Sequence, residues 1–191
     1  MMKLQMTAVA AVMCVSSMAA SAQQIDLSMS NDTALLSYTM PISYSPAGRT
    51  DADFGVLYTE DNDLMIMAGI AMSGEAGSQV PGLDGGVGFK FYGLSMDNGA
   101  DIGAVTIGGM LRYVLPGLNR VGLVGSLNYA PNITTVGDAD RLWDFNARVE
   151  FEVLPAAIVY LGYRDVGARM EINKFDIDMD KGAHIGLKMS F

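Results

Sequence analysis

The chain has 191 residues, half of them apolar, with only 17% charged and with 22 glycines. That much apolar content excludes an intrinsically disordered chain, and the length suits a single domain. The 21 acids against 12 bases, a formal net charge of −9, exclude a phosphate-tracking nucleic-acid binder; the sole cysteine, Cys14, excludes a disulfide framework and a Cys-rich zinc site.

The first elements in the chain are those of an export leader. Lys3 supplies a short positive start, Leu4 to Val15 form an apolar stretch broken only by Gln5 and Thr7, and Ala20-Ser21-Ala22 offers the small-x-small cleavage pattern. The expectation is a cleaved signal peptide over residues 1–22 and a mature domain over 23–191. The apolar stretch is too short for a membrane-spanning helix, which needs roughly 20 residues. Met13 is too bulky to precede a lipid-modified cysteine, so Cys14 is assigned to the discarded leader. Losing Lys3 as well takes the formal charge from −9 to −10.

From residue 23 onward the hydrophobic period is two. Turn signals divide the sequence into ten expected strands near 24–30, 33–40, 51–60, 63–73, 84–95, 100–113, 120–130, 139–153, 157–168 and 182–191. The alternation is sharpest at Trp143, Phe145, Ala147, Val149, Phe151 and Val153, which interleave with Asp144, Asn146, Arg148, Glu150 and Glu152. A strand of this kind has one apolar and one ionic face. The last strand repeats it, with Ala183, Ile185, Leu187, Met189 and Phe191 opposite His184, Lys188 and Ser190. Steps such as Asn31-Asp32, Asp61-Asn62, Asp97-Asn98-Gly99 and Pro116-Gly117 suit tight turns, since these residues tolerate or preset the required φ.

An even number of strands lets an antiparallel sheet close with both termini on one side of a membrane. The expected fold is therefore an all-β, antiparallel, up-and-down transmembrane β-barrel of about ten strands, with eight as the fallback. With the termini in the periplasm, outward aromatics sort into two belts: Tyr58, Tyr129, Trp143 and Tyr163 at the outer strand ends, and Tyr38, Tyr113, Phe151 and Phe191 at the periplasmic ends. Such girdles match the headgroup levels of a bilayer. One feature departs from the usual pattern of short periplasmic turns: segments 41–50 and 73–83 would be long connections on that side.

The same register points Lys90, Arg112, Arg148, Arg164 and Lys188 inward against Asp26, Asp53, Asp144, Glu150 and Glu152. Five bases and five acids in a narrow barrel meet across the lumen, and unpaired charges there are costly. A bonded ionic network filling the lumen is expected, with Arg164 near Asp144, Arg112 near Glu150 or Glu152, and Lys188 near Asp26.

His184-Ile185-Gly186-Leu187-Lys188-Met189-Ser190-Phe191 reads polar-x-Gly-x-x-apolar-x-aromatic. It resembles the terminal signal by which the barrel-assembly machinery recognises outer-membrane clients, with His184, Gly186, Met189 and Phe191 in the motif positions. Further segments extend the likeness: Arg112-Tyr113-Val114-Leu115-Pro116-Gly117, Asn128-Tyr129-Ala130-Pro131, Gly137-Asp138-Ala139-Asp140-Arg141 and Tyr160-Leu161-Gly162-Tyr163-Arg164. In order, and over most of the mature chain, they resemble the YfaZ family of enterobacterial-type outer-membrane proteins. That resemblance implies an outer-membrane β-barrel with no established activity.

The chemistry-bearing residues are few. His184, the only histidine, points inward near the outer end of the last strand, where Ser28 or Ser30 would be the nearest candidate nucleophile. A hydrolase built on His184 is the less favoured reading, because a single histidine among lumen acids more often hydrogen-bonds than catalyses. Asp176-Ile177-Asp178-Met179-Asp180 lacks the glycine and the distal glutamate of a calcium loop, and alternate acids also fit one side of an emerging hairpin. The acidic outer loops, Asp138, Asp140, Glu171, Asp176, Asp178 and Asp180, are candidates for sharing divalent cations with lipopolysaccharide phosphates. The expected function is a small, monomeric outer-membrane barrel with a charge-filled closed lumen and an envelope role. It has no catalytic activity, cofactor or metal. A narrow small-solute channel is the alternative. Expected partners are outer-membrane lipids and lipopolysaccharide, together with the barrel-assembly machinery and periplasmic chaperones during biogenesis.

Overall fold

The structure, a computed structural model, describes residues 23–46, 48–76, 80–97, 99, 101–171 and 174–191. The expected leader, 1–22, lies outside the described residues. Ten long strands form the wall: β1 (Gln24–Met29), β2 (Thr33–Ser45), β3 (Gly48–Thr59), β4 (Leu64–Glu75), β5 (Leu83–Ser95), β6 (Asp101–Val114), β7 (Val121–Ala130), β9 (Ala139–Leu154), β10 (Ala157–Met170) and β11 (Asp176–Ser190). A three-residue strand, β8 (Thr135–Gly137), follows a short 3-10 turn at Asn132–Thr134 and lies on the edge of β6 beside Ile102–Ala104.

Every long strand pairs antiparallel with its two neighbours, and β1 pairs with β11, so the sheet closes into a ten-stranded barrel. Ten strands, not the fallback of eight, is the count. Gln23 and Phe191 exchange backbone hydrogen bonds of 3.0 Å each, fixing both termini at one end of the barrel. Closure removes the edges that β1 and β11 would otherwise present.

The period-two pattern explains which way each side chain points. Phe145, Val149 and Leu187 are 40%, 50% and 38% exposed on the outside, whereas Glu150, next to Val149 in sequence, is 1% exposed in the lumen. The outward rows are apolar around the wall, including Val56, Ile66, Phe89, Ile107, Leu127 and Leu161. Tyr58, Tyr129 and Trp143 face outward on the strand halves remote from the termini, and Tyr38, Tyr113, Phe151 and Phe191 lie near the termini. Tyr163, paired with Ala147 and Ala183, lies at mid-strand, not at the expected outer end. Phe89, Phe91 and Phe145 are also outward and occupy the heights between.

The connection expected at 41–50 is mostly strand, whereas in 73–83, among the described residues, only 73–75 and Leu83 belong to strands. β2 and β3 run to Ser45 and Gly48, with an irregularity between Pro41 and Ser43, and β4 and β5 reach Glu75 and Leu83. Proline and glycine there read as loop in sequence, yet pairing absorbs them through the bulge and the small Gly85 and Gly86. Asn62 adopts φ +66° in the β3–β4 turn at the end remote from the termini, and Gly117 adopts +83° between β6 and β7 at the termini end, as the turn chemistry requires.

Candidate functional site

The lumen holds the polar chemistry, and it is layered. Toward the termini lies the ionic belt. Glu150, fully buried on β9, accepts from three cations: Arg148 Nη2 at 3.0 Å and Lys188 Nζ at 2.7 Å on Oε1, and Arg112 Nε at 3.1 Å on Oε2. Arg148 also donates to Asp26 through Nη1 at 3.1 Å and stacks 4.5 Å over the Tyr160 ring. The Tyr160 hydroxyl donates to the other oxygen of Asp26. Across the lumen Lys90 pairs with Asp53 at 3.1 Å, and Arg49 pairs with Asp51 at 2.8 Å.

Of the three pairings read from sequence, Arg112 with Glu150 is observed and two need correction. Arg164 does not approach Asp144; it donates to Asp180 at 2.8 Å and to the Ser28 hydroxyl at 2.7 Å, all three buried. Asp144 instead accepts from Tyr92 at 2.6 Å. Lys188 is the cross-strand partner of Asp26 in the β1–β11 ladder, but its ammonium reaches past it to Glu150. Glu152 makes no ion pair among the described residues. Asp180 was hidden from the alternation because the β10–β11 register slips between Val166 and Gly167, burying both Met179 and Asp180 in succession. Asp176 and Asp178 remain on the exposed side.

The far half of the lumen is predominantly apolar apart from the buried Arg164–Asp180 pair beyond His184. Leu57, Met65, Met67, Tyr92, Leu94, Met96, Ile102, Ala104, Leu142, Val166 and Ala168 form one buried cluster. All come from strand ends remote from the termini. The sequence signal was present, as alternate apolar residues on the inward rows of β3, β4 and β5; the ionic residues of the same rows masked it. Below this cluster a cavity of about 1030 Å³ extends to the termini end. Leu35 and Met67 line its closed end, and Arg112, Glu150, Lys188 and Ser190 line it further down.

His184 sits where the two layers meet, fully buried. Its ring is edge-on to Tyr160 at 5.8 Å, and neither ring nitrogen has a hydrogen-bond partner among the described residues. Neither serine is turned to it: Ser28 accepts from Arg164, and Ser30 bonds Thr33 and Asp180. Gly162 beneath it leaves no room for a β-carbon, which would fall 2.7 Å from His184 Cε1.

The C-terminal motif divides between two environments. His184 and Gly186 face the lumen, whereas Met189 and Phe191 are exposed on the outside. Above the wall, the Lys174 ammonium bonds Asp140 and holds its carboxyl below the ordinary value of 3.8, with help from the Asn132 amide at 2.9 Å. No group of carboxylates, histidines or cysteines suited to a metal ion occurs among the described residues.

A protein-family model described as YfaZ precursor matches residues 1–191, the whole chain. Among curated proteins, none matches it.

Proposed function

This chain belongs to the YfaZ family, and on that premise we propose that it is a small integral outer-membrane β-barrel protein with a closed lumen and a structural role in the envelope. One observation carries the reading: the polarity of the molecule is inverted, with apolar rows outside and bonded ion pairs inside. In water such an exterior would be a contiguous apolar patch far beyond what soluble monomers carry. In hydrocarbon it is the natural solvent face, since a closed barrel leaves no backbone group unpaired along the wall. The two aromatic belts fit the same orientation, termini in the periplasm. The family's description as a precursor supports export with loss of a leader, here residues 1–22.

The cluster of buried apolar side chains at the outer end supports a closed lumen. No catalytic role is assigned, because Ser28 and Ser30 are engaged away from His184. The proposed partners are outer-membrane lipids and lipopolysaccharide, and the assembly machinery during biogenesis; the barrel acts as a monomer.

The 1030 Å³ cavity favours a second reading, a narrow channel for small solutes. Conductance of the refolded protein in planar bilayers separates the two. The closed barrel gives no discrete steps in potassium chloride; steps of reproducible size would replace it with the channel.

A further inference from the structure

The lumen charges are unevenly shared. On the β3–β5 side the pairing is one to one, Lys90 with Asp53 and Arg49 with Asp51. On the β6–β9–β11 side three cations, Arg112, Arg148 and Lys188, converge on Glu150, and only Arg148 has a second carboxylate, Asp26, within hydrogen-bond reach. Asp84 stands 3.9 Å from Arg112 Nη1, too far for a hydrogen bond, and lies toward the rim. Asp144, higher in the lumen, is occupied by Tyr92. Asp84 balances the cluster in charge, but it leaves Arg112 without a second hydrogen-bonded carboxylate.

Both cations keep donors that no carboxylate hydrogen-bonds. Arg112 commits only Nε to Glu150, leaving both terminal nitrogens, and Lys188 commits one of its three N–H groups. Both side chains line the 1030 Å³ cavity and are 31% and 12% exposed to it. A partly buried cation with unsatisfied donors gains from an anion that bonds them. Two guanidinium N–H groups side by side match the two oxygens of a carboxylate or phosphate, with the lysine as a point charge beside them.

We propose that Arg112 and Lys188 form a binding subsite for a small oxyanion, carboxylate or phosphate, reached from the termini end of the lumen. Glu150 holds the two cations in place. Asp84 competes for Arg112 from the rim. The site does not depend on whether the lumen conducts.

Titration of the detergent-solubilised, nitrogen-15-labelled protein tests this through its arginine Nε–Hε resonances, with Arg112 assigned by its loss in R112Q. Inorganic phosphate, acetate and chloride are added in separate arms at matched ionic strength. The Arg112 signal is expected to move saturably with phosphate, acetate or both, which tells the two oxyanions apart, and only to drift with chloride. Followed on Arg148, R112Q is expected to weaken binding about tenfold, the loss of a charge-assisted bond. D84N is expected to tighten binding by removing the competing carboxylate. Absence of saturation with both oxyanions overturns the site, as does an equal response to chloride. Should R112Q fail to fold, D84N decides: unchanged or weaker binding overturns the proposal.

Discussion

The ring of Tyr160 on β10 lies flat against the bare backbone of Gly186, its directly paired neighbour on β11. A β-carbon at Gly186 would overlap both the ring carbon Cζ and the hydroxyl of Tyr160. The glycine thus lets the phenol reach Asp26 and lets Arg148 stack on the ring. One residue of the terminal motif therefore has a lumen-side task separate from any recognition by assembly factors.

Gly186→Ala is expected to lower stability by about 1–3 kcal/mol through overpacking. Denaturant unfolding of protein refolded in detergent, without assembly factors, measures the packing effect alone. In a double-mutant cycle, Tyr160→Ala should absorb most of that loss, since the obstructing ring is gone. Additive losses would place the clash elsewhere.

Glu150 and Asp53 are predicted to behave differently despite similar chemistry. Glu150→Gln leaves Arg112, Arg148 and Lys188 around a neutral amide in a buried site, and about 3–5 kcal/mol of stability should disappear. Asp53→Asn breaks a single pair with Lys90 whose members keep contact with solvent, and should cost about 1 kcal/mol or less. Urea midpoints of the two variants, compared at equal m-value, give the contrast directly.

Leu142 stands fully buried in the apolar cluster that caps the cavity. Replacing it by alanine should reduce stability by about 2–5 kcal/mol, the cost of a cavity in a packed core. Combining Leu57→Gly, Leu94→Gly and Leu142→Gly removes most of the cap, and that triple variant should show conductance where the parent shows none. A triple variant that folds and stays silent would locate the seal at another level.

Trp143 is the single tryptophan and faces outward, its ring over Gly167 and its Nε1–H donating to Asp165 at 2.8 Å. In liposomes, phospholipids brominated near the headgroup should quench its emission more strongly than those brominated near the chain ends, as expected of an interfacial belt residue. Water-soluble quenchers should act weakly.

Asp140 supplies the pH-dependent element above the wall. Its carboxyl titrates below the ordinary 3.8 because the Lys174 ammonium bonds the charged form. A depressed folded value means the stabilisation is complete above the unfolded pKa and disappears as pH falls through the folded one. Carbon-13 titration of the Asp140 carboxyl should show a midpoint below 3.8 that returns toward it in Lys174→Gln. An unchanged midpoint in that variant would remove Lys174 as the cause.

What the sequence determined by itself is the wall. Alternation depends only on the pleat, so Trp143 to Val153 and Ala183 to Phe191 already told outside from inside, and turn residues such as Asn62 and Gly117 already counted the strands. The tertiary structure decided what happens within. Which acid meets which base depends on long side chains crossing the lumen between strands far apart in sequence, so Lys188 bypasses its neighbour Asp26 for Glu150 and Arg164 finds Asp180. A single register slip at Val166 buries Asp180, and no local pattern announces such a slip. The division of the lumen into an apolar cap and a polar cavity has the same origin. Height along a closed barrel is set by the stagger of all ten strands together, and that stagger exists only once the sheet has closed.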